Sequence, residues 1–224
     1  VIGQAIGDVL PLALAVAISP IPIIAVILML LSPTARSTSV GFLFGWLLGI
    51  VAAVVVFSLL GSILTLSSGE GPTPVAAVIK IVIGAAAVVL AVGQWRKRPQ
   101  DGTEPALPKW MSAIDTMKPG ASFGLAFLLA AVNPKNLIMA AGAGVVIGTS
   151  GLSGGSLVLV TLVYVVVAAI TVAVPVIAYL VATDRLRPRL ESLRIWLLAN
   201  NSTVMAVLLL VIGVVSIGKG IGSF

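Results

Sequence analysis

The chain has 224 residues, 59% of them hydrophobic and 9% charged, with a mean hydropathy of +1.22 and a net charge of +6. That balance excludes a soluble globular fold, and the apolar runs are too long and too unbroken to be alternating β-barrel strands. With no cysteine and no histidine, disulfides, thiol redox relays, c-type haem, zinc sites and a histidine proton shuttle drop out too.

Six apolar stretches follow one another, at roughly 5–31, 40–62, 75–93, 121–148, 155–182 and 203–222. Each is near or above the ~20 residues that an α-helix needs to cross the hydrocarbon core. The expected fold is an all-α integral membrane protein forming a single transmembrane domain over 1–224. The first stretch has no basic residue before it and is interrupted by Pro11, Pro20 and Pro22, so it is read as a span rather than a secretory signal. At its middle stands Ala17-Ile18-Ser19-Pro20-Ile21-Pro22. Proline disrupts the turn before it but fits the first position of a new helix, and serine is a good cap for one. A half-helix starting near the bilayer midplane is therefore expected, with Ser19 as its N-cap.

The second stretch opens with Gly41-Phe42-Leu43-Phe44-Gly45-Trp46 and the third contains Lys80. The longest loop, Gln94 to Gly120, carries Trp95-Arg96-Lys97-Arg98-Pro99 and Pro108-Lys109-Trp110. Tryptophan beside a cation is an interfacial anchor, its ring at headgroup level. The fourth stretch repeats the motif of the first as Ala131-Val132-Asn133-Pro134-Lys135-Asn136, so Asn133 is the second expected cap. After the fifth stretch, Leu186, Leu190, Leu193 and Leu197 form a helical stripe. Two readings stand open for it: an amphipathic helix on the inner leaflet, or a solvated charged linker.

Pro20 and Pro134 lie 114 positions apart, and the same shift superposes Gly41 on Gly155 and Ile24 on Ile138. Three spans per half would make the second copy enter from the opposite face. The expected architecture is thus two inverted three-helix repeats, over 1–93 and 121–224, joined by a cytoplasmic loop at 94–120, with helices one and four broken by proline. The charges set the orientation. Arg36 falls in the first loop; Arg96, Lys97, Arg98, Lys109 and Lys118 in the third; Arg185, Arg187, Arg189 and Arg194 in the fifth. All lie on one side, which the positive-inside rule makes cytoplasmic, leaving both termini outside and Lys219 near the outer end. Topology already explains the basic loops, so nucleic acid is not expected as a partner.

Two half-helix N-termini facing one space would each bring about half a positive charge, and Lys135 adds a full one. That favours an anion, so the expected substrate site is Ser19, Pro20, Pro22, Asn133, Pro134, Lys135 and Asn136. The plainer reading makes the prolines kinks, but a lysine at mid-membrane is costly without a purpose. Asp8 and Lys80 are the other intramembrane charges, read as a structural ion pair or, more sharply, as a coupling carboxylate with its partner. Trp46, Gly45, Gly49, Gly142 and Gly144 are read first as packing positions. Neither an acid pair nor a serine–histidine arrangement is present, so an enzyme is not expected. No metal or cofactor is expected either: one intramembrane carboxylate is too few ligands for a divalent ion.

Taken together, Ser19-Pro20-Ile21-Pro22, Gly41 to Trp46, Trp95 to Pro99, Pro108-Lys109-Trp110 and Asn133-Pro134-Lys135-Asn136-Leu137 resemble the GAP family. These are the peptidoglycolipid-addressing proteins, sulfolipid-addressing proteins among them, within the lysine-exporter superfamily. The resemblance covers nearly the whole chain. It implies a multi-pass protein of the plasma (inner) membrane that takes part in moving an anionic lipid or glycolipid toward the cell envelope. Trp95, Arg96, Lys97 and Arg98 would gather acidic headgroups at the inner leaflet. Membrane lipids are the implied partners, with a larger lipid-export complex and a homodimer as further expectations. Two alternatives remain: an exporter of a small solute such as an amino acid, and a non-transporting accessory subunit of a lipid-export complex.

Overall fold

The computed structural model describes residues 1–68, 74–98, 113–181 and 183–222. They are all-helical, with no strand among the described residues. In chain order the helices are α1 (Ile2–Ala17), α2 (Pro20–Leu31), α3 (Ala35–Ser68), α4 (Pro74–Arg96), α5 (Pro119–Ala131), α6 (Pro134–Gly148), α7 (Gly154–Val181) and α8 (Thr183–Ile221). A single 3₁₀ turn, Ile114–Thr116, precedes α5. Among the described residues four helices are long and apolar enough to cross a membrane, and the bent pairs α1–α2 and α5–α6 bring the count to as many as six. The six apolar stretches fall, in chain order, on these four helices and the two bent pairs.

Proline sets many of the boundaries. Pro20, Pro74, Pro119 and Pro134 each open a helix, where the missing amide would have had no partner. The segment after the fifth stretch is helical, as one of the two readings had it, but it is continuous with the last helix, which begins at Thr183, twenty positions before the expected stretch at 203. The leucine stripe explains this in part, because Leu190 and Leu197 are buried in the bundle although Leu193 is exposed. The polar Asn200-Asn201-Ser202 step does not end the helix either: the Asn200 amide donates back to the Trp196 carbonyl at 2.9 Å.

The helices interlock across the two halves. α3 lies along α5 and α6, α1 lies along α6 and α7, and α4 packs on α8. Glycine permits the closest crossings. A Cβ on Gly45 would sit 2.1 Å from the Phe123 carbonyl oxygen, and one on Gly144 would sit 2.4 Å from Phe57 Cβ. On the α4–α8 seam, a Cβ on Gly84 would approach the Gly213 carbonyl at 2.7 Å. Backbones this close gain the dispersion contacts that hold membrane helices together, since lipid tails offer helices no hydrophobic drive to associate. Trp46 is likewise a packing residue, fully buried and stacked on Phe42.

Candidate functional site

The two helix breaks share one backbone recipe. At the first, Ile18 (φ −82°, ψ 16°) ends α1, extended Ser19 (φ −68°, ψ 113°) caps α2, and the axes bend by 50°. At the second, Val132 (φ −117°, ψ −20°) ends α5, Asn133 (φ −58°, ψ 123°) caps α6, and the bend is 60°. Ala17 and Ala131, the last helical residues, keep the spacing read from the prolines. The caps themselves differ. Asn133 Oδ1 accepts from the Lys135 amide at 3.1 Å, whereas Ser19 makes no side-chain capping bond.

A broken helix leaves carbonyls without their usual partners, and inside a bilayer water does not reach them. Ser19 N–H turns back to the Val16 carbonyl, which strands that of Ala15, and the proline step strands Ala17. The second half supplies both donors. Lys135 Nζ donates to the Ala15 carbonyl, and Thr171 Oγ1 on α7 donates to that of Ala17. At the other break Asn133 N–H returns to Leu128, and the freed Leu129 carbonyl accepts from Asn136 Nδ2 at 2.9 Å. Lys135 therefore places its ammonium at the C-terminal end of α1, the negative end of that helix dipole.

This geometry redistributes the expected anion site. Pro20 and Pro22 carry no amide hydrogen, so residues 20 to 22 present only the Ile21 amide. The start of α2 is a weak anion cradle, and positive character concentrates on α6. There Lys135 uses one of its three N–H donors on Ala15. Beside it, Asn136 Oδ1 is buried with no hydrogen-bond partner. Ser19, Lys135 and Asn136 are 2%, 3% and 1% exposed, so these three polar side chains are covered, whereas Ile18, Val132 and Pro134 in the same breaks are exposed.

The other expected residues lie elsewhere. Asp8 forms an ion pair with Lys219 on α8, and Lys80 lines the same cleft as both. Depth along the spans fits either lysine, so the sequence offered no basis for choosing Lys219. Trp95 and Arg96 close α4, followed by Lys97 and Arg98, and the Arg98 guanidinium lies 4.3 Å from the Trp95 ring centroid. Fifteen helical residues, about 22 Å, separate Lys80 from Trp95, putting these groups at opposite ends of the bundle. Pro99, Pro108, Lys109 and Trp110 lie outside the described residues, as does the Arg185 side chain. Sequence reasoning missed Thr171 and also Arg187, whose guanidinium donates to the Leu31 carbonyl at the end of α2 at 2.9 Å. Thr171 is one of few hydroxyls in the apolar α7 run, which marked it without naming its partner.

A family model described as Sap, sulfolipid-1-addressing protein (SfLAP), matches residues 9–222, which takes in both breaks and the Lys219 end. Neither a curated protein nor a solved structure matches the chain.

Proposed function

The chain belongs to the sulfolipid-1-addressing protein family, and from that premise we propose that it moves an anionic lipid or glycolipid between leaflets of the plasma membrane, toward the envelope. One observation carries the reading: the buried Lys135 ammonium sits where the two broken helices meet, donating from the start of α6 to the Ala15 carbonyl near the end of α1. A buried cation at that junction suits an anionic headgroup. The two halves act as inverted repeats. In support, the breaks share a backbone conformation, and α1 lies on α7 as α5 lies on α3. Basic loops in the cytoplasm and both termini outside complete the proposed topology. Because the Ser19, Lys135 and Asn136 side chains are covered, a headgroup reaches them by the two halves rocking apart.

A second reading has its own observation. Since Lys135 already engages the end of α1, it serves equally as a clamp in an accessory subunit that transports nothing by itself. The discriminating experiment is purified protein reconstituted in vesicles with fluorescently labelled phosphatidylglycerol or phosphatidylcholine. Chemical quenching of label in the outer leaflet then reads leaflet exchange. The transporter reading expects faster exchange of the anionic lipid than in protein-free vesicles. Exchange no faster than in protein-free vesicles would sink it and leave the accessory reading.

A further inference from the structure

Packing accounts for the Trp46 ring, which is fully buried and stacked on Phe42, but not for its indole N–H. Trp46 Nε1 has no hydrogen-bond partner in the protein. A buried indole usually finds one, and inside a bilayer a bare donor is costly. Ser39 Oγ, seven residues earlier on α3, is bare as well, and both residues are 0% exposed. Seven residues are about two turns, so the two groups share one flank of α3, about 10 Å apart along its axis. That flank is neither the glycine row nor the lipid face. Gly41, Gly45 and Gly49 abut Pro119, Phe123 and Phe127 of α5, about a third of a turn round, while Phe44 and Leu48 on the opposite side are exposed. The flank leads toward the second helix break. Gly49 lies level with Phe127 and Ala130, and the Asn136 side chain reaches back to the Leu129 carbonyl between them. Its amide therefore lies within about one turn of Trp46 in depth. That bond also fixes the amide's orientation, because a carbonyl needs a donor, and leaves Asn136 Oδ1 bare. A hydroxyl, an indole N–H and an amide oxygen thus follow one another in depth from the start of α3, all buried and unpartnered, and Lys135 adjoins the last of them in the chain.

We propose that this flank of α3 is the headgroup's way from the α3 start to Lys135, and that Trp46 Nε1 donates to an anionic headgroup oxygen on it. The inference rests on the lipid-moving reading and adds a donor to it. Ser39 alone would mean little, since a serine can turn its hydroxyl to the preceding turn of its own helix. The indole N–H has no such freedom, being fixed to a ring held against Phe42. It only donates, so the group it takes is an acceptor: a phosphate, sulfate or carboxylate oxygen. Bare donors suit a path. The covered state bears the cost of the unpaired N–H, and a passing oxygen removes that cost without breaking any bond within the protein.

The test reads the indole N–H resonances of isotope-labelled tryptophan by NMR, on the full chain in detergent micelles. The Trp46 signal is the one lost in Trp46→Phe or, if that variant does not fold, the one left after Trp95→Phe, Trp110→Phe and Trp196→Phe. Expected is an upfield, unbonded position without lipid and a saturable downfield movement as dihexanoyl phosphatidylglycerol is added. Ser39→Ala weakens the apparent affinity about fivefold, the size of one neutral hydrogen bond. Inorganic phosphate leaves the signal in place. A hydrogen-bonded position before lipid is added means that a buried water holds the N–H, and overturns the proposal. So does a signal that lipid does not move, or one that phosphate moves as far as lipid does. In vesicles, folded Trp46→Phe exchanges labelled phosphatidylglycerol about tenfold more slowly than the parent, and an unchanged rate removes Trp46 from the path. The two readings fail separately: an indole shift in a parent that exchanges no lipid sinks transport and keeps the headgroup site, whereas exchange without the shift sinks the site and keeps transport.

Discussion

Lys135→Met separates a substrate-holding lysine from a clamp. Methionine keeps the length and apolar stem but removes the ammonium that donates to the Ala15 carbonyl. Interhelical hydrogen bonds inside membranes contribute about 0.6 kcal/mol on average and about 1.7 at most, because separated helices also find partners. The fold should therefore persist, with a stability loss of at most about 2 kcal/mol. If the same ammonium holds an anionic headgroup during passage, a charge-assisted hydrogen bond of about 1.5–3 kcal/mol is lost there. Leaflet exchange then falls roughly ten- to hundredfold, against a stability change worth far less than that in folded population. The assays are thermal unfolding in detergent and leaflet exchange of labelled phosphatidylglycerol, on the same preparation. Folded Lys135→Met exchanging lipid within about twofold of the parent would refute the reasoning and make Lys135 a clamp.

Three further outcomes follow from the packing and the breaks. Gly45→Ala forces a Cβ to 2.1 Å from the backbone oxygen of Phe123; thermal unfolding should show a loss of about 1–3 kcal/mol. Gly93→Ala, with nothing within 4 Å, should cost nothing and serves as the control. Thr171→Val removes the donor to Ala17. It should cost about 0.6–1.7 kcal/mol, and a double-mutant cycle with Lys135→Met should be non-additive because both donors serve the same broken turn. Pro20→Ala combined with Pro22→Ala restores two amides and should straighten the 50° bend. Spin labels at positions 2 and 31 should then move apart by about 4 Å, from two rigid arms at about 1.5 Å per residue.

Much of this arrangement was legible in the chain because proline and hydropathy act locally. Pro20 and Pro134 each follow a polar residue and open a helix, whereas Pro11 and Pro175 stay inside theirs, so it is the polar–proline step that placed both breaks to the residue. Side-chain partners across the bundle were not legible. Asp8 had two lysines at matching depth, and only the approach of α8 to α1 brings Lys219 to it. The extent of α8 was hidden for another reason. Asn200, Asn201 and Ser202 look like an interruption in a hydropathy profile, yet a helix tolerates polar residues whose side chains bond back to the preceding turn. The anion cradle expected at α2 could have been questioned from sequence, since Pro22 as well as Pro20 removes an amide from the first turn.

The two breaks, alike in backbone, play opposite electrostatic parts. The first exposes acceptors: the carbonyls of Ala15 and Ala17, at the negative end of α1. The second contributes a donor, Lys135, and α7 contributes another, Thr171. The first half thus presents stranded oxygens to a second half that carries the hydrogen-bond donors. An anion can meet the Lys135 donors not spent on the Ala15 carbonyl, or displace that carbonyl altogether. In the second case binding and loosening of α1 from α6 are one event, because the bond displaced joins the halves at that point. A helix broken only to create a kink would need no such cross-partner; its carbonyls could be satisfied by serine or threonine on the same helix. Under the proposed function, a donor lysine from the other broken helix would tie headgroup chemistry to movement between the halves.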